Sequence, residues 1–177
     1  MSDLRTIKTD KLIKQAFIDL LAQKSFEQLT INDICDLAAI GRSTFYHHYL
    51  DKYALLEQLI SDFTNEFQSL IEQRNQNLTG DSLLIYLYQK LFVNRQALLA
   101  IMTVNSKLEY NLRQILKKNS LGLFKKDNFG VPTDFLAEIY ASDVLTAIIW
   151  TLKNGHSEEV AAFMNNSLTE LMRKYLV

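Results

Sequence analysis

Proline occurs once in these 177 residues, at Pro132, while apolar side chains recur along most of the chain at spacings of three and four. Proline and glycine are the residues that most strongly break helices, and five glycines with one proline leave room for long uninterrupted ones. A β-sandwich would need turn signals roughly every 8–12 residues, and they are missing here. The expected fold class is therefore all-α. At 48% hydrophobic residues the chain suits one or two compact units and can bury roughly 70% of its unfolded surface.

The apolar spacing divides the chain into segments. Leu12, Ile13, Ala16, Phe17, Leu20 and Leu21 predict an amphipathic first helix, broken at Lys24–Glu27. Thr30 with Asp33 three residues on is a helix start. Asp51 starts another, whose stripe Leu55, Leu56, Leu59, Ile60, Phe63, Phe67, Leu70 and Ile71 runs to about Asn77. Residues 77–81 form a turn-rich break. Shorter helices are expected over 83–93, 98–102 and 108–116, then an irregular stretch over 121–132. A long helix over 135–153 should end at Asn154-Gly155, and a last one should run from Ser157-Glu158-Glu159 to about Tyr175.

The run from Gly41 to Tyr49 carries the chemistry. Phe45 and Tyr49 stand four apart and point one helical face inward. The opposite face holds Arg42, Ser43, Tyr46 and His47, with Thr44 and His48 at its edges, a small polar surface rich in hydrogen-bond donors. Such a face suits base edges and phosphates. With the apolar helical segment just before it, the run reads as a DNA-recognition helix. Arg42 is the best candidate for direct readout, because a guanidinium can bond guanine O6 and N7 together. Gly41 marks close backbone approach or turn geometry.

These residues resemble the TetR family of bacterial transcription regulators over roughly the first sixty positions. Residues 30–38 look like the first helix of that family's helix-turn-helix, Ala39-Ile40-Gly41 like its turn, and Arg42 to Tyr49 like its recognition helix. Asp51-Lys52 with Leu55-Leu56 resembles the start of its long connecting helix. The resemblance implies a DNA-binding head over residues 1–50 and a helical effector-binding and dimerisation body over 51–177. It implies that Thr30, Tyr46, His48 and Lys52 hold phosphate, while Arg42, Ser43, Thr44 and His47 lie at base edges or nearby backbone. It further implies a homodimer on a palindromic operator, acting as a repressor under a ligand or partner.

Charge restricts how such a head could work. The net charge of −1 and pI near 6.3 are not those of an indiscriminate nucleic-acid binder. From residue 1 to 52, seven bases (Arg5, Lys8, Lys11, Lys14, Lys24, Arg42, Lys52) meet seven acids (Asp3, Asp10, Asp19, Glu27, Asp33, Asp36, Asp51). Affinity for phosphate must come from placement, with Lys8, Arg42, Lys52 and the helix starts at Thr30 and Asp51 as suppliers.

In the body, the helix over 135–153 is apolar on two faces, one with Leu136, Tyr140, Val144, Ala147, Ile148 and Thr151, the other with Ala141, Leu145, Ile149 and Leu152. A helix of that pattern is buried on both sides. The last helix adds the stripe Val160, Met164, Leu168, Leu171 and Tyr175. The family pairs through its last helices, so Leu145, Ile148, Ile149, Leu152, Met164, Leu168, Leu171 and Tyr175 are the expected dimer interface. Phe63, Phe67, Tyr88, Phe92, Met102, Tyr110 and Tyr140 form a pool from which an effector pocket could be lined, although aromatics at helical spacing are more often plain core. Residues 150–155 resemble a type found in dihydroxyacetone-kinase-regulator-like members of the family, some of which bind a partner protein instead of a small molecule.

Other functions find little in the residues. No glycine-rich phosphate loop or G-x-S-x-G element occurs, so no enzyme and no cofactor are expected. The lone Cys35 sits on an apolar face as core, and adjacent His47 and His48 diverge by about 100° with no ligand partner at metal-site spacing, so no metal is expected. No stretch of eighteen uncharged apolar residues is present, and a cytoplasmic protein without membrane contact is expected. The competing reading is a helical ligand- or protein-binding module without DNA binding, which would predict a decayed recognition face.

Overall fold

A computed structural model describes residues 4–77, 83–124 and 130–172. Among these the chain is helical: α1 Leu4–Leu21, α2 Ile31–Leu37, α3 Arg42–His48, α4 Lys52–Asn77, α5 Leu83–Leu91, α6 Arg95–Val104, α7 Lys107–Ser120, α8 Thr133–Asn154 and α9 Ser157–Met172. Single 3₁₀ turns occupy Phe92–Asn94 and Leu121–Leu123. The all-α expectation holds, and most expected boundaries fall within a few residues of those observed. The expected break at 77–81 and the loop centre at 125–129 lie almost wholly outside the described residues.

Two compact units form. The first combines the chain up to Phe63 with Gln96–Leu108, and so takes in the start of α4 and most of α6 beyond the head itself. Its core is built from Ile13, Phe17 and Leu20 of α1, Ile34 and Cys35 of α2, Phe45 of α3, and Leu55, Leu56, Leu59 and Ile60 of α4, all buried. Phe26 lies edge-on to Phe17 at 6.1 Å and to Tyr53 at 5.2 Å. The second unit comprises Thr64–Arg95 and the chain from Glu109 onward. Within it α5, α8 and α9 pack on one another, with Leu84, Leu87 and Leu91 of α5 buried.

α8 corrects the expected interface. Leu145, Ile148 and Leu152 are at most 3% exposed, because they already fill the core of their own unit. They have no surface left for a second subunit. Both predicted stripes of α8 are consumed inside, and a third side is open, with Phe135 56%, Ile139 44% and Trp150 47% exposed. Ile149 lies half-buried at the margin of that side, and on α9 Met164 is half-buried while Phe163 is exposed. The side chains of Leu168 and Leu171, and all of Tyr175, lie outside the described residues. α8 is also long and apolar enough by length and hydropathy to cross a membrane, but half of that window is buried and it carries Glu138 and Asp143. That is the pattern of a core helix. It ends as expected, at Gly155 with φ 79°, whose N–H donates to the Thr151 carbonyl at 2.8 Å.

The turn between α2 and α3 sets how the head presents α3. Ala38 closes α2, and the Ile40 N–H donates to the Cys35 carbonyl at 3.0 Å. The left-handed residue of this turn is Ala39, φ 53°, and not Gly41. Gly41 has an ordinary extended backbone, φ −77°, and a Cβ there would meet only Ser43 Oγ at 3.8 Å. The expectation that Gly41 supplies turn geometry is therefore wrong. Its side of the turn is open, which leaves room for a close approach from outside. An L-residue with a Cβ in the left-handed region costs about 1–2 kcal/mol. Ala39→Gly should then raise stability by roughly 0.5–1 kcal/mol in urea unfolding, net of the glycine's extra freedom when unfolded. Gly41→Ala should leave the unfolding midpoint unchanged.

Candidate nucleic-acid interface

α2 and α3 are seven residues each, too short to persist alone, so their ends and contacts must hold them. α2 begins in a reciprocal cap: the Asp33 N–H donates to Thr30 Oγ1 at 3.2 Å, and the Thr30 N–H donates to Asp33 Oδ2 at 2.8 Å. The Thr30 hydroxyl also donates to Asp33 Oδ2, at 2.7 Å, and Lys24 Nζ lies 2.7 Å from the same oxygen. Lys24 and then Thr30 hold the Asp33 carboxyl down at about 2. A carboxyl lowered on folding stabilises above its unfolded pKa, so this support is complete at neutral pH and is lost as pH falls from about 4 towards 2. Thr30 is thus committed to the cap.

α3 is fixed from beneath. Phe45 is fully buried and Tyr49 is 7% exposed, as their spacing predicts. The Tyr49 hydroxyl donates to Asp10 Oδ1 on α1. Burial first, and then this hydrogen bond, push the Tyr49 phenol far up, so it stays protonated at any working pH. Lys14 joins Asp10 at 2.8 Å and Asp62 of α4 at 2.7 Å. Burial alone would lower the Lys14 ammonium, but the two carboxylates outweigh it and raise it.

With that side held down, the outer side of α3 is free for contact. Arg42, Ser43, Tyr46 and His47 are exposed and Thr44 is half-buried, which reproduces the expected polar face. Arg42 Nη2 donates to the Tyr46 hydroxyl at 3.4 Å and its guanidinium lies 5.9 Å from the Tyr46 ring centre, so the two rest on each other. That hydroxyl raises the Arg42 pKa further and keeps the group a cation. His48 faces inward more than expected: its side chain is 9% exposed and Nδ1 lies 3.9 Å from Asp10 Oδ1.

Lys52 departs most from expectation. Its three protons go to the carbonyls of Phe26 at 2.7 Å, Glu27 at 3.1 Å and Leu29 at 2.8 Å, and its ammonium sits 4.7 Å from the Phe26 ring centre. In the structure it clamps the loop that leads into the Thr30 cap. The start of α1 also borders this site, which the sequence pattern does not bring out. Arg5, Thr6 and Thr9 border a cleft of about 360 Å³ whose other wall is Ser43, Thr44, His47 and His48 of α3. Their spacing puts three polar side chains on one helical face, a signal available in the sequence but weak without knowing that α3 lies opposite.

None of the aromatic pool lines the cavity described for the second unit. Phe63 and Phe67 are core residues of different units. Tyr88 stacks on Phe92 at 5.2 Å, with the Arg95 guanidinium 4.0 Å from the Phe92 ring centre. Tyr110 is 60% exposed, Met102 is half-buried in the first unit, and Tyr140 packs on Phe124. The described cavity of the second unit, about 290 Å³ and open to solvent, is lined instead by Gln68, Ile71, Glu72, Ile115, Lys118 and Asn119. Among the described residues no cluster of metal-ligating side chains occurs.

Comparison with known proteins gives this geometry a context. Residues 13–59 match the family model described as bacterial regulatory proteins, tetR family. The chain is 31% identical over 99 residues to the HTH-type dhaKLM operon transcriptional activator DhaS of Lactococcus lactis, covering 50% of this chain and 51% of that protein. It is 41% identical over 59 residues to the uncharacterized HTH-type transcriptional regulator YxbF of Bacillus subtilis, covering 33% of this chain and 16% of that one. The matched stretches thus span about half or less of these relatives. Among solved structures, a TetR transcriptional regulator from Streptococcus agalactiae superposes with TM-score 0.64 at 25% identity over 90% of this chain and 92% of its own. The dihydroxyacetone kinase operon activator DhaS does so with TM-score 0.63 at 21% identity over 96% and 98%, a likeness of fold.

The clamp and phosphate roles of Lys52 separate experimentally. Lys52→Met leaves the three carbonyls short of a donor and should cost about 1–3 kcal/mol in chemical unfolding. The salt dependence of DNA binding should keep its slope, whereas loss of a phosphate contact would lower it by about 1.

Proposed function

Because the chain belongs to the TetR family of bacterial regulatory proteins, we propose that it is a DNA-binding transcription regulator that reads a palindromic operator as a homodimer. The observation that carries this is the two-sidedness of α3: Phe45 and Tyr49 are locked into the head while Arg42, Ser43, Tyr46 and His47 stand clear of it. DNA contact belongs to residues 1–50, with Arg42 reading a base and Tyr46, with the start of α1, holding backbone. Residues 51–177 serve pairing and control. The protein works in the cytoplasm, where its DNA is.

One short helix in one groove discriminates poorly, and a two-fold pair doubles the site. The open side of α8 supports that pairing, because Phe135, Ile139 and Trp150 on α8 and Phe163 on α9 are large apolar groups left uncovered in one protomer. Repression is the mode that needs only occupancy of the operator. The relative DhaS is named an activator, and a reporter in a deletion strain distinguishes the two modes: expression rises for a repressor and falls for an activator. Control comes from a small molecule or a partner protein acting on the second unit. Its described cavity, lined by Glu72 and Lys118 as well as Ile71 and Ile115, supports a ligand with polar groups at least as well as an apolar one.

Selection from random DNA should return a near-palindrome with half-sites roughly 34–36 Å apart, or a multiple of that. Arg42→Ala should flatten preference at one base pair per half-site, by roughly 1–3 kcal/mol. Recovery of no palindrome would sink the proposal. For the dimer, Trp150→Glu should give folded monomers in sedimentation, because the residue is exposed in the protomer and a buried unpaired charge is costly only in the pair. Leu145→Glu should instead unfold the protein. A Trp150→Glu dimer as tight as wild type would move the interface elsewhere.

A further inference from the structure

We propose that Asp10 is a positioning residue for operator recognition, holding the C-terminal end of α3 at the angle from which its outer face meets the base edges. It rests on the DNA-binding reading above. α3 ends at Tyr49, whose N–H still donates to the Phe45 carbonyl at 2.9 Å while φ −137° and ψ 136° turn the chain out of the helix, so the backbone fixes where the residue starts and the side chain must fix how that end lies on the head. The Tyr49 ring is buried, and rings alone can slide. The hydroxyl removes that freedom, because it donates to one oxygen, Asp10 Oδ1. His48 Nδ1 lies 3.9 Å from the same oxygen, so a single carboxylate faces the last two side chains of the recognition segment. Asp10 is in turn not free to move: Lys14 holds its other oxygen at 2.8 Å and is itself tied to Asp62 at 2.7 Å. Gln58 Nε2 donates to the remaining oxygen of Asp62 at 2.9 Å. The chain Tyr49–Asp10–Lys14–Asp62–Gln58 thus registers the end of α3 against α1 and α4. None of these side chains is among the exposed groups of α3 that face outward, so their effect on DNA passes through Tyr49 and His48.

Tyr49→Phe keeps the buried ring and removes only the hydroxyl, and Asp10→Asn removes the charge while keeping the shape. The full-length protein is titrated with two duplexes, the operator recovered by wild-type selection and a scrambled duplex of equal length. Each single variant should bind the operator about tenfold more weakly, the worth of one hydrogen bond to a charged group. Affinity for the scrambled duplex should stay within about twofold, and the double variant should be no worse than either single one. Rebinding selection should show the lost preference at the base pairs under the C-terminal end of α3. Equal losses on both duplexes would mean a merely structural role and overturn the proposal, as would operator affinity within about twofold of wild type in Tyr49→Phe. If the wild-type protein itself does not prefer the operator, the DNA-binding reading falls, and this inference with it. The wild-type titration therefore tests that reading, and the variants test Asp10.

Discussion

A seven-residue helix cannot hold itself together in water, and α3 is seven residues long. Its existence depends on Phe45, buried completely, and on whatever keeps the two ends in place. Everything proposed for its outer face therefore rests on interactions on its inner face. The N-terminal end is set by the turn, which puts Ala39 in a left-handed conformation that its Cβ resists. The C-terminal end is set by Tyr49 and its carboxylate partner. Upstream, α2 depends in the same way on the Thr30–Asp33 cap and on the Lys52 clamp beneath its leading loop.

This explains why a head with as many acids as bases can still suit DNA. Of its cations, Lys14, Lys24 and Lys52 are occupied with structure, each held by carboxylates or carbonyls. Asp10, Asp33 and Asp62 are correspondingly occupied. Within the head two pairs, Lys14 with Asp10 and Lys24 with Asp33, are thereby cancelled locally, and the charge that remains outward on α3 is that of Arg42. Affinity that comes from a few placed groups, with little bulk field, makes sequence-independent binding weak and leaves selectivity to geometry. In such a head small errors of angle matter, which is why the carboxylate behind α3 carries weight.

The parts of the fold that could be read from sequence were those set by local chemistry. Helix starts at Thr30 and Asp51 depend on residues three apart, and both caps form: the Ala54 N–H donates to Asp51 Oδ1 at 2.7 Å. The inward side of α3 depends on residues four apart. What could not be read depends on groups far apart in the chain. Lys52 finds the carbonyls of residues 26, 27 and 29, and backbone carbonyls leave no trace in a residue pattern. Asp10 meets Tyr49 from 39 positions away. Gly41 misled for a different reason: glycine is the usual tenant of a left-handed turn position, but here an alanine two residues earlier holds it.

α8 shows the limit of periodicity most clearly. Two apolar stripes mean burial on two sides, but the pattern does not say by what. Leu145, Ile148 and Leu152 are satisfied within one protomer, and the surplus lies on a third side, where Phe135, Ile139 and Trp150 are interspersed with Asp143, Thr146 and Lys153. That mixture dilutes any hydrophobic stripe and looks like a solvated face from sequence. In the proposed dimer this surface would be soluble before pairing and covered afterwards, which such a mixture allows. Asp143 adds a constraint of its own: burial already raises its carboxyl pKa within the single protomer, so deeper burial in a pair would favour its protonated form further. If the proposed dimer covers this side, it would have to leave Asp143 at its wet rim or give it a donor.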